Sequence, residues 1–296
     1  MKSSHNVFIV LNFNDYGSTV TCVKNVLNFL CVYKIIIVDN NSNNDSYRQL
    51  SMIFSQYEKI EVIKCKENYG YAQGNNFGCR YALSKYTVNN FIIMNPDVYI
   101  SEKVFEKFIS RYESLKMKQE NIGIVAPQLK NGKSINCGWK MPSVKNDIMS
   151  NLLFLGKRNQ LNYRFKSMEG KNAVKQVDVL SGAFFLIDAD IFYDVDFFDE
   201  DTFLYCEERI LAYKLQNKGY KSFVFLNLHY DHLHKSELNV KRKIKAFIEL
   251  NKSKKIFHKK YLKSSFFQNI IFDITAYFGT IERIIAFGVK KYVLKK

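Results

Sequence analysis

The sequence predicts an α/β protein in which helices cover both faces of a mostly parallel, Rossmann-like sheet. Two observations carry this prediction. Apolar runs without polar alternation are typical of strands buried on both faces, and each early run is followed by a polar turn and a helix-like segment. Regular alternation of strands and helices is typical of the α/β class. A chain of 296 residues is also long enough to bury a large core.

Four such strands are predicted in the first hundred residues, in the runs VFIVL (7–11), IIIV (35–38), IEVI (60–63) and FIIM (91–94). Ligands of open α/β sheets bind at the carboxyl ends of the strands. We therefore expect the polar residues at three of these ends to meet in one crevice. They are Asn12 and Asn14, Asp39 with Asn40 and Asn41, and Asp97.

The stretch ENYGYAQGNNFG (67–78) follows the third strand. Its glycines recur every four residues, so on a helix they line one side, where another backbone or a ligand can approach closely. The alternative is a helix packed tightly on the sheet, with glycines that serve only the fit. The glycines are Gly70, Gly74 and Gly78, and the neighbouring amides are Asn68, Asn75 and Asn76.

The second half of the chain continues the pattern. A buried strand is predicted within 177–192, and a helix over about 206–218 that ends at Gly219. A further strand begins near residue 221 and runs into a histidine-rich loop. No Gly-x-Gly-x-x-Gly follows any predicted strand, which excludes the dinucleotide-binding fingerprint.

Asp97 stands directly after the strand FIIM and the turn residues Asn95 and Pro96. A carboxylate at this position suits a hard cation, Mg²⁺ or Mn²⁺, that carries a diphosphate. The alternative is a residue that shapes the turn or caps the next helix. The residues alone leave both interpretations open.

Two glutamates, Glu207 and Glu208, open the predicted helix over 206–218. Acids at this position interact favourably with the helix macrodipole, which explains their location without any chemistry. The functional alternative makes one of them a general base. The neighbouring aromatic residues Phe203 and Tyr205 would then raise its pKa.

Three histidines, His229, His232 and His234, form the pattern His-x-x-His-x-His. Their spacing could supply part of a zinc site, which would need a further ligand. Alternatively, His232 alone could contact a metal bound to a diphosphate. Histidines in loops are also common as plain surface residues.

Seven stretches, in this order, resemble family 2 inverting glycosyltransferases of the GT-A fold, of the bacterial kind that builds rhamnan, O-antigen or capsule chains. They are FIVLNFND, IIIVDNNS, ENYGYAQGNNFG, FIIMNPDV, SGAFFLIDADIF, FDEDTFLYCEE and HLHKS. The resemblance implies a catalytic domain over 1–240 and a separate region over 241–296. It implies a nucleotide-sugar donor, dTDP-rhamnose first and a UDP-sugar next, and a lipid-linked or growing surface polysaccharide as acceptor.

The resemblance also implies residue roles. Asp97 would bind Mg²⁺ or Mn²⁺ on the donor diphosphate, with His232 completing the metal or diphosphate site. Glu208 would be the catalytic base, beside Glu207. The expected nucleotide-sugar-binding residues are Asn12, Asn14, Asp39, Asn41, Asn68, Gly70, Gly74, Asn75 and Asn95.

Three departures from the family pattern concern the acceptor side. Ile210 stands where the family has a further acid, Lys214 stands where it has an arginine, and position 208 has Glu in place of Asp. These changes are compatible with a slow or unusually specific enzyme. They also keep open an inactive relative that acts as an assembly partner.

The positive charge is concentrated in the C-terminal region. From residue 241 onward, 15 Lys/Arg stand against three acids, so this region carries +12 of the net +16. Its apolar segment 266–289 is interrupted by Asp273, Glu282 and Arg283, which favours a helix along a bilayer interface. The alternatives are packing on the catalytic domain or a second subunit, and nucleic-acid binding. Because the charge is confined to the tail, we expect no nucleic-acid partner.

Six scattered cysteines without a Cys-x-x-Cys pair predict free thiols in a reducing cytosol. The N-terminal apolar run is too short for a signal peptide and is broken by Asn12. The chain also lacks an uninterrupted apolar run of about 18 residues. We therefore expect a cytoplasmic protein, peripheral on the inner face of the bacterial cell membrane.

Overall fold

A computed structural model describes residues 5–119, 121–132, 134–159, 161–163, 165, 173–233 and 239–293, with side chains described to residue 287. The chain packs as two compact units. The first contains Met1–Trp139, Asn162–Phe203 and Glu207–Leu233, and the second contains Lys140–Leu161, Leu204–Cys206 and His234–Lys296. Residues 140–161, which the sequence analysis placed in the first domain, thus belong to the second unit. The predicted boundary at residue 240 stays a prediction.

The strands form one sheet in the first unit. They are β1 (Asn6–Asn12), β2 (Val32–Asp39), β3 (Ile60–Lys64), β4 (Asn90–Met94), β5 (Val98–Tyr99), β6 (Ile122–Asn131), β7 (Ser134–Asn136), β8 (Val174–Val177), β9 (Phe184–Asp188) and β10 (Lys221–His232). The strand order is β3-β2-β1-β4-β9-β6-β10-β5, with β7 on β6 and β8 on β10. All four strands predicted in the first hundred residues are confirmed.

Ten helices are described. They are α1 (Tyr16–Val26), α2 (Ser46–Phe54), α3 (Gly70–Lys85), α4 (Glu102–Lys116), α5 (Val144–Asn151), α6 (Leu153–Arg158), α7 (Ala189–Asp194), α8 (Glu207–Asn217), α9 (Val240–Lys260) and α10 (Phe266–Val293). Helices α5, α6, α9 and α10 lie in the second unit. The predicted helix over 206–218 is α8, and Gly219 follows it with a φ of +83°.

The sheet is mixed, and its direction changes at β9. Strands β1 to β4 are parallel, whereas β9 pairs antiparallel with both β4 and β6. Alternate residues of β1 and β2 belong to two separate apolar clusters, with Phe8 in one and Ile9 in the other. Both faces of the central strands are therefore buried, as the uninterrupted apolar runs predicted.

The second unit is a group of helices around a buried polar cluster. On α5, Asp147 lies 2.9 Å from the Nε2 atom of His258 and 3.4 Å from the Nζ atom of Lys254, both on α9. Arg283 of α10 donates to the Asn151 carbonyl at 2.6 Å. Within the described part of the chain, no helix is both long and apolar enough to cross a bilayer. All six cysteines are free, as predicted.

Candidate active site

The carboxyl ends of β1 and β2 bring two predicted site residues into contact. Asn12 and Asp39 are paired in the parallel register, and the Asn12 amide donates to the Asp39 carboxylate at 2.8 Å. Asp39 also accepts from the Ser42 backbone at 2.9 Å and from the Ser42 hydroxyl at 2.7 Å. Both Asn12 and Asp39 are fully buried. The structure therefore fixes the orientation of this carboxylate through neutral donors.

Two further asparagines shape the adjacent loops. Asn14 and Asn41 adopt left-handed φ values of +58° and +56°, a conformation that asparagine tolerates better than most residues. The backbone N–H of Asn14 donates to the Ser42 hydroxyl at 2.8 Å, and the side-chain oxygen of Asn14 accepts from the backbone N–H of Asn43 at 2.8 Å. Asn14 is exposed and Asn41 is half-buried. Their predicted contacts with a nucleotide stay predictions.

Asn40 is a connecting residue that the sequence analysis expected in the crevice but did not name among the nucleotide-sugar-binding residues. Its side-chain amide donates to Asn68 and to the Gly70 carbonyl, both at 2.9 Å, and its oxygen accepts from the Tyr69 backbone at 3.1 Å. Asn40 thereby joins the end of β2 to the start of α3. Its position directly after Asp39 was the available signal.

The glycines of α3 allow close packing. A Cβ atom at Gly74 would lie 2.7 Å from the Leu11 side chain of β1. At Gly70, whose φ is +81°, it would lie 2.0 Å from the Phe203 carbonyl oxygen. Asn75 is buried and donates to the Tyr71 carbonyl at 2.9 Å. At Gly74 the geometry matches the close-packing alternative, and the donor-binding roles of Gly74 and Asn75 stay predictions.

The Asn-Pro-Asp turn brings the two proposed metal ligands together. The antiparallel pairing of β5 with β10 aligns Val98 with His232. As a result, the Asp97 Oδ1 and His232 Nε2 atoms are 3.0 Å apart, with 27% and 13% of these side chains exposed. A partly exposed carboxylate and imidazole fit a hard cation that takes its other ligands from a diphosphate and water. Among the described residues, no group of three or more His, Cys, Asp or Glu has metal-site geometry.

The alternative zinc site does not follow from the strand geometry. His229 and His232 are three positions apart on β10. Because successive side chains of a strand point to opposite faces, these two histidines lie on different sides of the sheet. His234 lies outside the described residues. Burial, followed by the nearby Lys130 charge, lowers the pKa of His229.

The acidic pair begins α8, as expected from the sequence. Glu207 is buried and Glu208 is half-buried. Burial raises the pKa of Glu208, which is the direction that the sequence analysis expected for a general base. Tyr205 and Cys206, directly before the helix, have left-handed φ values of +73° and +69°. Such backbone conformations cost about 1–3 kcal/mol each and concentrate at functional sites.

Tyr71 is a second residue that the sequence analysis missed. Its hydroxyl donates to the Gly182 carbonyl at 2.7 Å, and its backbone amide donates to the Phe203 carbonyl at 2.9 Å. A Cβ atom at Gly182 would lie 3.6 Å from this hydroxyl and 3.8 Å from the Glu208 Cβ. Burial, then Glu207 and Glu208, raise the pKa of Tyr71 well above its ordinary value. An aromatic residue among glycines gave no sign of this role.

A continuous path joins these features within the first unit. The backbone N–H of Asn95 donates to the Ala183 carbonyl at 2.8 Å, which links the Asn-Pro-Asp turn to the residue after Gly182. Each step of the path is either a covalent connection or a hydrogen bond. In order, it passes through Asp39, Asn40, Gly70, Tyr71, Gly182, Ala183, Asn95, Pro96 and Asp97.

The structure shows the surroundings of two of the three departures from the family pattern, Ile210 and Lys214, both on α8. Ile210 is fully buried, so an acid at this position would face the apolar interior. The Lys214 ammonium donates to the carbonyl oxygens of Asp196 at 3.0 Å and Phe197 at 2.8 Å. Both acceptor residues have left-handed φ values, +56° and +52°. Lys214 thus stabilises the turn that follows α7.

Comparison with known sequences identifies the family of the chain. The family model described as Glycosyl transferase family 2 matches residues 7–196. The low-salt glycan biosynthesis hexosyltransferase Agl10 of Haloferax volcanii is 23% identical over 189 residues, covering 64% of this chain and 55% of the relative. The rhamnosyltransferase WbbL of Escherichia coli K12 is 25% identical over 206 residues, covering 68% and 74%. The matched segment therefore spans little more than half of the archaeal relative.

Comparison with solved structures identifies the fold. The mannosyltransferase PcManGT from Pyrobaculum calidifontis, in complex with GDP-Man and Mn²⁺, superposes with a TM-score of 0.58. The match covers 96% of this chain and 75% of that chain, at 11% sequence identity. At this identity the likeness concerns the fold alone. The predicted GT-A-like α/β fold is confirmed.

Proposed function

The chain belongs to glycosyl transferase family 2, and on that premise we propose that it transfers a sugar from a nucleotide-sugar donor to an acceptor hydroxyl, with inversion. The observation that carries the proposal is the continuous path from Asp39 to Asp97, with Glu208 beside it at Gly182. The proposed nucleotide site at Asp39, the proposed diphosphate site at Asp97 and the proposed base Glu208 thus all lie in the first unit.

The nucleotide would lie at the carboxyl ends of β1 and β2. Because Asp39 is fully buried and bonded to Asn12 and Ser42, its contribution would be to orient these groups and to supply negative potential. The more accessible Asn14 and Asn41 would make the direct polar contacts. This division of roles refines the expectation that Asp39 itself binds the nucleotide-sugar.

Asp97 and His232 would hold a divalent cation, Mg²⁺ or Mn²⁺, on the donor diphosphate. When bound, such a cation supplies positive charge that stabilises the diphosphate as it leaves. The neighbour PcManGT was solved with GDP-Man and Mn²⁺. The 3.0 Å separation of the Asp97 and His232 atoms supports a shared role for the two residues.

Glu208 would act as the general base. Its carboxylate would take the proton from the acceptor hydroxyl as that oxygen bonds to the anomeric carbon and the bond to the diphosphate oxygen breaks. One displacement of this kind inverts the configuration. Burial raises the pKa of Glu208, and a base is most effective when its pKa lies near the working pH.

The donor that we propose first is dTDP-rhamnose, followed by a UDP-sugar. The relative named rhamnosyltransferase WbbL supports the first choice, while the relative named hexosyltransferase Agl10 keeps other hexoses open. The proposed acceptor is a lipid-linked or growing surface polysaccharide. The corresponding place of work is the inner face of the bacterial cell membrane, with the protein bound peripherally.

A thermal-shift panel tests this proposal. UDP, dTDP, GDP and their sugars are added with and without Mn²⁺ to the wild type, Asp97→Ala and His232→Ala. His229→Ala serves as the matched histidine control. A nucleotide at about 100 times its Kd stabilises the native state by about 2.7 kcal/mol, which raises the Tm of a 296-residue chain by about 4 °C.

The expected result is Mn²⁺-dependent stabilisation by one nucleotide that both site variants lose and His229→Ala retains. The nucleotide that stabilises the protein then identifies the donor base. A flat panel with folded wild-type protein would contradict the proposal. Equal stabilisation of the wild type and Asp97→Ala would contradict the proposed metal site.

A further inference from the structure

The C-terminal helix α10 carries an apolar face that the second unit leaves exposed. Phe267 is 75% exposed and Tyr277 is 66% exposed, which is unusual for aromatic side chains on a folded helix. The exposed apolar residues of α10 are Phe266, Phe267, Ile270, Ile271, Ile274, Tyr277, Phe278, Ile284 and Ile285. We call this set the α10 face.

Helix geometry places the α10 face opposite the packed side of the helix. The packed side contains Phe272, whose ring lies 4.7 Å from that of His258 on α9. It also contains Gly279, where a Cβ atom would lie 2.1 Å from the Asn151 carbonyl oxygen. At 3.6 residues per turn, the opposite arc from Phe266 to Ile285 contains only Phe, Ile and Tyr over about 30 Å. The charged residues of α10 stand outside this arc.

The neighbouring helix α9 is strongly basic. Its 21 residues include nine Lys/Arg and one acid, Glu249. Six of the cations are exposed, so their charge is available to an external partner. They are Lys241, Arg242, Lys245, Lys252, Lys259 and Lys260.

A cavity with a mainly apolar lining lies between α9 and α10, adjacent to the α10 face. Its volume is about 270 Å³, and its lining includes Asn251, Lys252, Tyr277 and the ion pair of Lys255 with Asp273, whose charged atoms are 2.6 Å apart. Asn251 is only 8% exposed. Among the described residues, neither its side-chain oxygen nor its side-chain nitrogen has a hydrogen-bond partner. Buried polar groups are rarely left unsatisfied, so the Asn251 amide is the one buried polar side chain at this edge of the α10 face whose partner the described residues do not supply.

We propose that the α10 face inserts into the interface of an anionic lipid bilayer. The apolar arc matches the acyl boundary, and the basic helix α9 matches the anionic headgroups. A second copy of the chain fits less well, because the exposed cations of α9 have complementary charge in anionic headgroups but not in an equally basic copy of the chain. This proposal deepens the proposed function, because it identifies the surface that would hold the enzyme beside a membrane. It rests on the proposed function only for the statement that the acceptor lies at the membrane.

Vesicle co-sedimentation of the full-length chain tests the proposal without any sugar nucleotide. The vesicles are phosphatidylcholine alone and phosphatidylcholine mixed with phosphatidylglycerol, at physiological salt. The test variant is Ile274→Glu, at a position 50% exposed on the α10 face. Its matched control is Leu30→Glu, at a position 84% exposed in the first unit. Because both side chains are exposed, neither change should unfold the protein.

The wild type and Leu30→Glu should bind the anionic vesicles equally. Ile274→Glu should bind at least about tenfold more weakly, because the face loses one isoleucine and gains a charge. Lys252→Gln and Lys259→Gln should each reduce binding about fivefold, and only with anionic vesicles. A wild type that stays in the supernatant would overturn the proposal, as would Ile274→Glu that binds like Leu30→Glu.

One further result would overturn the proposal and identify a second copy of the chain as the occupant of the α10 face. It is a lipid-free wild-type dimer that does not sediment with vesicles and that Ile274→Glu converts to a monomer. In that case the α10 face covers a second copy of the chain. Because no nucleotide is present, failure of vesicle binding leaves the glycosyl-transfer proposal standing, and a flat thermal-shift panel leaves this one standing.

Discussion

The two halves of the candidate site are held in place by different interactions. On the donor side, which we define as residues 12–14, 39–42 and 95–97, most hydrogen bonds involve a polar side chain, as in the contact of Asn12 with Asp39 at 2.8 Å. On the base side, defined as Gly70, Tyr71, Gly182, Phe203 and Glu208, the contacts use backbone carbonyls. Examples are the bonds from Tyr71 to the carbonyls of Gly182 and Phe203.

This difference indicates how each half responds to change. A donor side fixed by polar side chains should tolerate changes elsewhere, because its bonds are local. A base side fixed by close backbone contacts should be sensitive to a single added atom. The expected consequence is that base-side variants alter turnover or stability while leaving nucleotide affinity almost unchanged.

Glu208→Gln is the sharpest test of this separation. Removing a general base lowers kcat by about 10³-fold, whereas nucleotide affinity should stay within about twofold because the donor-side contacts remain. Initial rates and calorimetric titration with the nucleotide measure the two quantities. Glu207→Gln is the matched control and should retain most of the activity. A larger loss in Glu207→Gln would transfer the role of base to Glu207.

The pH dependence follows from the same residue. Glu208 must be deprotonated to accept a proton, and burial raises its pKa. The acidic limb of the rate profile should therefore lie at higher pH than the ordinary glutamate pKa of about 4.3. Because the folded protein holds the Glu208 proton more tightly than the unfolded chain does, the contribution of Glu208 to the free energy of unfolding decreases as the pH rises from the ordinary pKa through the raised pKa. An acidic limb at or below the ordinary value would contradict the assignment.

Ile210→Asp tests the family acid that this chain lacks. Ile210 is fully buried, so the change removes apolar contacts and places a carboxylate in the interior, at a cost of about 4 kcal/mol. Chemical denaturation measures the loss, and Ile210→Val should cost only about 1 kcal/mol. A stable Ile210→Asp with higher activity would instead show that this position faces the acceptor.

Gly70→Ala breaks the junction between the two halves. The new Cβ would lie 2.0 Å from the Phe203 carbonyl oxygen at a φ of +81°, for which we expect a cost of about 3 kcal/mol. Gly219→Ala is the matched control, because its φ is +83° and nothing lies within 4 Å of its Cβ. The control should cost only about 1 kcal/mol. Equal losses in the two variants would remove the argument for a tight junction.

Tyr71→Phe is the mildest change. It removes the bond to Gly182 but keeps the ring packing on Phe198, at 5.7 Å between centroids. We expect kcat to fall about tenfold, since one buried hydrogen bond of about 1.4 kcal/mol is lost beside the base. The KM for the donor should not change. A fall in donor affinity with unchanged kcat would place Tyr71 on the donor side.

The sequence predicted the strands and brought Asn12 and Asp39 to one edge of the sheet, where they are in contact, because both features have local signals. Uninterrupted apolar runs identify the buried strands, and Asp39 and Asp97 stand directly after such runs. The Asp97–His232 contact of 3.0 Å joins residues far apart in sequence, and the family resemblance was needed to pair them. Tyr71 was missed because its partners are the carbonyls of Gly182 and Phe203, and backbone acceptors leave no signal in the sequence. The placement of 140–161 with the C-terminal helices was missed because its contacts, such as that of Asp147 with His258 at 2.9 Å, join residues 111 positions apart.

The stereochemistry of transfer tests the central claim most directly. Time-resolved proton NMR on the wild type, with the donor identified by thermal shift, records the anomeric signal of the first sugar released to acceptor or water. A single displacement assisted by Glu208 predicts the anomeric configuration opposite to that of the donor, with the signal lost in Glu208→Gln. A product with the donor's own configuration would contradict the account.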